Sequence, residues 1–286
     1  MHFMIRVLKG VLIGIANIIP GVSGGTMMVS MGIYDDIIHS ITNLFKKFRE
    51  SVKTLLPYAI GMAAGIGGLA FLLDYFLQKY PFQTNIMFIG LILGGIPIIW
   101  KRSAKGGLNA GKLLVFFIFF ASIILLQIFG SGEDGTEVVL STEPGQLALL
   151  FFVGLIAAAT MVIPGVSGSM ILMLLGYYKP IISIIKRLME EVLHFNLAGI
   201  GECMLIVLPF GVGVVVGIFL VAKLIEVLIK KAEAVTYSGI MGLVMASPVV
   251  ILIISGIPKS MDGLLLVTSG AAFAGGFLLA YLLGKE

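Results

Sequence analysis

The chain has 286 residues, of which 59% are hydrophobic and 12% are charged, and its mean hydropathy is +1.11. Soluble domains carry about 25% charged residues, so this composition excludes an ordinary soluble enzyme and predicts that the bilayer is the solvent for most of the chain. The net charge of +4 falls on predicted loops and helix ends, where it directs topology and gives no reason to expect a nucleic-acid partner.

Six uninterrupted apolar segments are suited to crossing a bilayer of about 30 Å. Two further apolar stretches, 4–44 and 146–186, are each interrupted by a Pro-Gly-Val-Ser-Gly sequence, which has low helix propensity and lacks the proline N–H. We therefore expect an all-α, polytopic membrane protein in which these two stretches are broken helices, re-entrant hairpins or pairs of short spans. The uninterrupted segments lie near 55–78, 85–100, 112–130, 203–229, 237–255 and 263–283.

The two interrupted stretches belong to an internal repeat. Residues 19–24 and 163–168 both read Ile-Pro-Gly-Val-Ser-Gly. The repeat predicts one broken segment followed by three spans in each half of a single transport domain that covers residues 1–286, with repeat 1 at 1–130 and repeat 2 at 146–286. Further matched pairs are Gly32/Gly176, Tyr34/Tyr178, Pro57/Pro209, Gly61/Gly213, Gly65/Gly217, Asp74/Glu226, Thr84/Thr236 and Gly90/Gly242.

Loop charges favour inverted topology for the two halves, as in many secondary transporters. Cytoplasmic loops are rich in Lys and Arg, which places residues 46–53 and 101–112 inside and the acidic segment 131–145 outside. In this frame the inverted arrangement leaves fewer basic residues outside than a parallel one does. The inverted arrangement misplaces Lys186, Arg187 and Lys259, whereas the parallel one misplaces Arg6, Lys9, Lys230, Lys231 and Lys285. We expect both termini in the cytoplasm.

Each repeated loop combines features of an anion site. Residues 20–26 join a helix stop, glycines that tolerate positive φ, and two hydroxyls ahead of a second helical run. Unwound amides and a helix N-terminus favour a phosphate or carboxylate, and two copies favour a substrate site over a simple kink or close packing. The predicted substrate-binding residues are Asn17, Gly21, Ser23, Gly24, Gly25 and Thr26 in the first copy, and Gly165, Ser167, Gly168 and Ser169 in the second.

Ionisable residues near the loops are candidates for coupling to a proton or cation, or for gating. Asp74 and Glu226 form a repeat-related pair, for which snorkelling or local ion pairing, for example with Lys223, is the favoured interpretation. Asp35 follows the first motif at the position where the second copy has Lys179. These two charges either help to attract or expel an anion, or are solvated loop charges. The candidates are Tyr34, Asp35, Asp74, Tyr178 and Glu226.

No metal and no cofactor are expected. The three histidines are scattered, and the single cysteine, Cys203, has no cysteine partner. The sequence also lacks a Gly-Lys-Ser/Thr loop for ATP.

The residues Ala16 to Thr26 with Gly32-Ile33-Tyr34, and Ile163 to Ser169 with Gly176-Tyr177-Tyr178, resemble the family catalogued as domain of unknown function 368. The resemblance covers essentially the whole chain. It implies a flippase that returns undecaprenyl phosphate, or a related polyprenyl phosphate, across the bacterial cytoplasmic membrane for reuse in envelope synthesis. It also implies that the partners are this lipid and the bilayer, and that the two loops form a phosphate site with alternating exposure.

Two other functions stay open. A carrier or channel for a small anion or other solute would use broken helices equally well. A membrane-embedded lipid phosphatase with Ser23 or Ser167 as nucleophile would need a base, and neither motif carries a nearby His or Lys, so we expect no enzyme. The sequence leaves the oligomeric state and the coupling ion open, and neither motif supplies an Arg or Lys for the phosphate.

Overall fold

The computed structural model describes residues 2–19, 22–130, 138–258 and 260–285. Within these ranges all regular secondary structure is helical and no strand is present, which confirms the predicted all-α class. The twelve helices of the described residues are α1 (His2–Ala16), α2 (Gly24–Ser30), α3 (Tyr34–Thr42), α4 (Phe48–Lys79), α5 (Pro81–Gly94), α6 (Ile96–Ser103), α7 (Ala110–Gly130), α8 (Pro144–Val162), α9 (Gly168–Leu174), α10 (Tyr178–Leu193), α11 (Leu197–Ser255) and α12 (Gly263–Leu283).

Six helical segments of the described chain are long and apolar enough to cross a membrane, and a seventh is obtained if α9 and α10, bent by 108°, count as one span. The protein is therefore a multi-pass membrane protein. The topology of the two halves stays a prediction. The six segments are Phe48–Leu69, Pro81–Ser103, Ala110–Phe129, Pro144–Val162, Leu197–Ser255 and Gly263–Leu283.

The helices differ from the predicted segments at α8 and at α11. In the stretch 146–186, the part before the motif is the 19-residue helix α8, which is long enough to cross a bilayer by itself. The spans predicted at 203–229 and 237–255 both lie in α11, in which two helices meet at Ala232, a residue with non-helical dihedrals (φ −147°, ψ 57°). A backbone break therefore falls in the interval where a loop was expected.

The described chain forms two compact units. The first unit is Met1–Gln127 with Ile163–Val166 and Ala222–Glu286, and the second is Ile128–Val162 with Ser167–Val221. The core of the second unit includes Leu150, Val153, Tyr177, Ile181 and Ile206.

The repeat is visible in helix packing. In the first unit, α1 lies so close to α4 that a Cβ on Gly10 would clash with the backbone of Tyr58, and one on Gly61 with the backbone of Val7. In the second unit, a Cβ on Gly154 of α8 would clash in the same way with the backbone of Phe210 in α11. Glycine at these positions lets the helices approach closely, as is common in membranes.

Two glycines that match in sequence have matching helix contacts in the first unit. Gly90 of α5 faces the backbone of Phe273 in α12, and Gly242 in α11 faces the backbone of Phe116 in α7. The two aromatic pairs next to these contacts also match, since the rings of Phe116 and Phe120 stack at 6.0 Å and those of Phe273 and Phe277 at 6.1 Å.

Candidate functional site

The first repeated loop joins the end of α1 to the start of α2 through polar contacts. Ser23 is the N-cap of α2, with extended dihedrals (φ −114°, ψ 148°), and its Oγ accepts a hydrogen bond from Thr26 N at 3.1 Å. Asn17 Oδ1 accepts from Gly24 N at 3.0 Å. Two of the four amides that a helix start leaves unpaired are therefore satisfied by side chains. The predicted ligand Gly21, like Pro20, lies outside the described residues.

Part of the second repeated loop contacts the first one directly. The Gly165 amide donates to Ser23 Oγ at 3.0 Å and to Thr26 Oγ1 at 2.8 Å. The two hydroxyl oxygens lie 2.9 Å apart, so one hydroxyl donates to the other. Since each hydroxyl carries one proton, one of the two protons stays available to a further acceptor. The described contacts of this pair therefore form a compact cluster that can donate to an anion.

The space on both sides of this contact is small, and Gly165 has the stronger need for glycine. A Cβ on Gly25 would lie 3.1 Å from Pro164 Cα, and one on Gly165 would lie 2.6 Å from the carbonyl oxygen of Leu243. Gly165 also has φ +81°, a conformation that L-residues adopt at a cost. Ile163 and Val166 anchor this stretch by packing against a core that includes Leu243. Ser23 and Thr26 are buried, with 6% and 0% of their surface exposed.

The rest of the second loop has a different geometry. Ser167 is the N-cap of α9, and in place of a cap hydrogen bond from its side chain its Oγ lies 3.0 Å from Ser169 Oγ. The hydroxyl pair is thus spaced by two residues here and by three in the first loop. Ser167 is half-buried and Ser169 is exposed. Gly168 packs against Thr160, whose Oγ1 would lie 2.9 Å from an added Cβ.

Asp35, a gating candidate, belongs to a polar cluster that sequence reasoning did not assemble. The Tyr237 hydroxyl donates to Asp35 Oδ1 at 2.5 Å, and the Arg102 guanidinium forms an ion pair with the same carboxylate. Arg102 also donates to the Tyr237 hydroxyl at 3.0 Å and lies over its ring. In the sequence, Arg102 contributed only to the charge of the loop 101–112, because nothing local indicates a contact between residues so far apart.

Tyr34 precedes this cluster at the start of α3 and is buried. Burial, and next the charge of Asp35, raise the pKa of the Tyr34 phenol. It therefore stays a neutral hydroxyl.

The repeat-related carboxylates Asp74 and Glu226 occupy different environments. Glu226 is buried, accepts from Lys223 and Lys230 at 2.7 Å each, and lies 3.2 Å from His39 Nδ1 in α3. The pairs with Lys223 and Lys230 are local ion pairs within α11, whereas the contact with His39 joins two helices. Asp74 is exposed and accepts from Gln78 within its own helix at 2.7 Å. The last gating candidate, Tyr178, is half-buried at the start of α10.

Comparison with known proteins identifies relatives for nearly the whole chain. Residues 13–263 match a family described as undecaprenyl phosphate translocase-like. A polyprenyl-phosphate transporter of Staphylococcus aureus is 30% identical over 283 residues, which cover 98% of this chain and 96% of that protein. A polyprenyl-phosphate transporter of Vibrio cholerae is 27% identical over 262 residues, covering 86% of this chain and 77% of that protein. No solved structure matches the chain.

Proposed function

We propose that this chain, which belongs to the undecaprenyl phosphate translocase-like family, moves undecaprenyl phosphate or a related polyprenyl phosphate across the bacterial cytoplasmic membrane. Such movement would return the carrier lipid for reuse in envelope synthesis. The multi-pass helical fold and two relatives named as polyprenyl-phosphate transporters support the proposal. Those names also favour a transporter over an enzyme.

The observation that carries the mechanism is the contact of Gly165 N with the hydroxyls of Ser23 and Thr26. An amide donor and two hydroxyls meet in a buried place where unpaired polar groups are costly. A phosphate that enters between them accepts from the Gly165 amide and from both hydroxyls, so the bonds broken inside the protein are replaced by bonds to the anion. Gly24, Gly25 and Asn17 shape this side of the site.

The second hydroxyl pair, Ser167 and Ser169, is proposed as a further set of phosphate ligands used in the alternate state of the transport cycle. It is more exposed than the first pair, and the two loops differ in hydroxyl spacing. Two related sites in unlike environments suit alternating exposure, in which the repeats take turns in the two conformations.

Inverted topology of the halves is part of the proposal. A two-fold relation between the halves would account for the matched contacts of α5 with α12 and of α11 with α7. The loop charges favour an axis in the membrane plane, which gives inverted halves, over an axis along the membrane normal. A proton or cation is the proposed coupling ion. Asp35 is the proposed site, since its carboxylate holds Arg102 and Tyr237 together.

Reconstitution into vesicles tests the function. Labelled undecaprenyl phosphate is incorporated, and its transbilayer movement is measured for the wild type, for Ser23→Ala/Ser167→Ala and for empty vesicles. We expect movement only with protein, reduced about tenfold or more in the double variant. Ser122→Ala, which removes an exposed hydroxyl on α7, is the control and should match the wild type. Wild-type movement no faster than in empty vesicles would refute the lipid transport proposal.

The same vesicles separate the alternatives. Release of inorganic phosphate from the lipid, abolished by Ser23→Ala, would indicate a phosphatase. Efflux of trapped inorganic phosphate without movement of the lipid would indicate a carrier for small anions. We expect neither.

A further inference from the structure

Two close-packed helix pairs leave a groove between them in the first unit. Glycines draw α1 against α4, and Gly90, Gly94 and Gly276 do the same for α5 and α12. The space between the pairs measures about 220 Å³. It is bordered by Leu12 and Ile15 of α1, Leu69, Leu72, Leu73 and Phe76 of α4, Met87, Phe88 and Leu91 of α5, and Gly275, Gly276 and Leu279 of α12.

The groove is apolar on every side, since its border contains only aliphatic, aromatic, methionine and glycine residues. Its width depends on the glycine at position 275. A Cβ there would meet nothing within 4 Å, whereas one on the neighbouring Gly276 would clash with the backbone of Met87. Gly276 therefore holds the helices together, and Gly275 leaves the space beside them open.

The groove lies close to the polar cluster along α1. Ile15 borders it, and Asn17, two residues later, accepts the hydrogen bond from Gly24 at the start of the first loop. At a rise of about 1.5 Å per residue, Asn17 lies about 3 Å beyond Ile15 along the axis of α1, and the helix ends at Ala16. A hydrocarbon chain that passes over this helix end would connect a head group at Ser23 and Thr26 to the groove.

We propose that the groove binds the first isoprene units of the polyprenyl chain while the phosphate occupies the hydroxyl cluster. This inference rests on the proposed function and extends it from the head group to the tail. A polyprenyl phosphate has one chain attached directly to its phosphate, which suits a single apolar groove beside a small anion site. A two-chain phospholipid carries a glycerol at that junction, for which the border offers no polar partner.

Filling the groove tests the proposal. Gly275→Leu introduces a side chain into the open space, and Gly270→Leu is the matched control, since Gly270 lies on the same helix, faces open space and does not border the groove. We expect Gly275→Leu to reduce movement of long-chain polyprenyl phosphate about tenfold, and Gly270→Leu to move it at the wild-type rate. Equal rates of long-chain movement for the two leucine variants would overturn the groove assignment.

A labelling experiment keeps the proposal testable if Gly275→Leu fails to fold. Leu72→Cys is placed in a Cys203→Ser background, and its modification by a maleimide is followed in vesicles, with Gly270→Cys as control. Polyprenyl phosphate should slow modification at position 72 and leave position 270 unaffected. Equal slowing at position 72 by phosphatidylglycerol would assign the groove to ordinary acyl chains. If the wild type moves no polyprenyl phosphate, it is the proposed function that fails.

Discussion

The Arg102 guanidinium forms an ion pair with the carboxylate of Asp35, 67 residues earlier in the chain. This contact joins the end of α6 to the start of α3, and Tyr237 ties both side chains to α11. The cluster continues through Glu233, whose carboxylate accepts from Lys105 at 2.8 Å. The three helices α3, α6 and α11 are thus held together by charge.

Asp35→Asn should weaken this cluster, because the neutral amide gives up the charge-assisted bonds from Arg102 and Tyr237. Such bonds contribute about 1.5–3 kcal/mol each, less where they are exposed to solvent, so we expect a loss of about 1–2 kcal/mol in unfolding free energy. Lipid movement should fall about tenfold if the pair also serves as the gate. Thermal unfolding in detergent and the vesicle assay measure the two effects.

Asp74→Asn is the control for Asp35→Asn. It removes a carboxylate of the same type that is exposed and bonded to Gln78 in its own helix, so stability should change by no more than about 0.5 kcal/mol and transport should persist. If the two variants transport equally well, Asp35 is neither a gate nor a coupling residue.

Gly165→Ala should abolish lipid movement. The added Cβ would lie 2.6 Å from the Leu243 carbonyl oxygen, so the loop must shift and the bonds from Gly165 N to Ser23 and Thr26 are lost. Gly107→Ala separates this steric effect from backbone strain, because Gly107 has nearly the same φ (+80° against +81°) and open space at its Cβ position.

Strain alone costs about 1–2 kcal/mol, so Gly107→Ala should be mildly destabilised and still active in the vesicle assay. Full activity of Gly165→Ala would show that the contact between the loops is dispensable.

Glu226→Gln should destabilise the first unit by about 1–2 kcal/mol in thermal unfolding, because a buried carboxylate with three partners becomes a neutral amide. Lys223 and Lys230 are largely exposed, so water compensates part of the loss. Glu202→Gln, which removes an exposed carboxylate paired with Arg187, is the control and should change stability by no more than about 0.5 kcal/mol. An equal loss of stability in Glu226→Gln and Glu202→Gln would mean that the burial of Glu226 does not contribute to stability.

The parts of the structure that local sequence determines were predictable. Hydropathy indicated a multi-pass helical protein, and the repeated motif located both helix breaks. Helices α2 and α9 both begin at the last glycine of the motif, Gly24 and Gly168, because the two copies match here without a gap. These features depend on residues that are neighbours in the chain.

The parts that depend on distant contacts were not predictable from one sequence. Nothing local distinguishes Arg102 from other loop cations, or Asp35 from a solvated loop acid, until α3, α6 and α11 are packed together. The repeat suggested equivalent roles for Asp74 and Glu226, yet helix packing buries one and exposes the other. The groove beside Gly275 likewise arises from the spacing of helix pairs.

Inverted topology is tested by labelling cysteines from one side of the membrane. Phe195, between α10 and α11, is 87% exposed, and Gly107, between α6 and α7, faces open space, so a cysteine at either position should react without disturbing packing. In a Cys203→Ser background, an impermeant maleimide added to intact cells should modify Phe195→Cys and spare Gly107→Cys. The reverse holds in inside-out vesicles.

The parallel arrangement predicts that both positions are cytoplasmic and protected together. The loop that contains Phe195 then lies on the same side as its counterpart, 46–53, which is cytoplasmic like the loop that contains Gly107. Modification of a cysteine placed at Lys285 only in inside-out vesicles would add that the C-terminus is cytoplasmic. Protection of Phe195→Cys in intact cells, with normal transport by that variant, would exclude inversion. The proposal of two loops alternating across the membrane would then lose its symmetry argument, and the phosphate site would rest on Ser23, Thr26 and Gly165 alone.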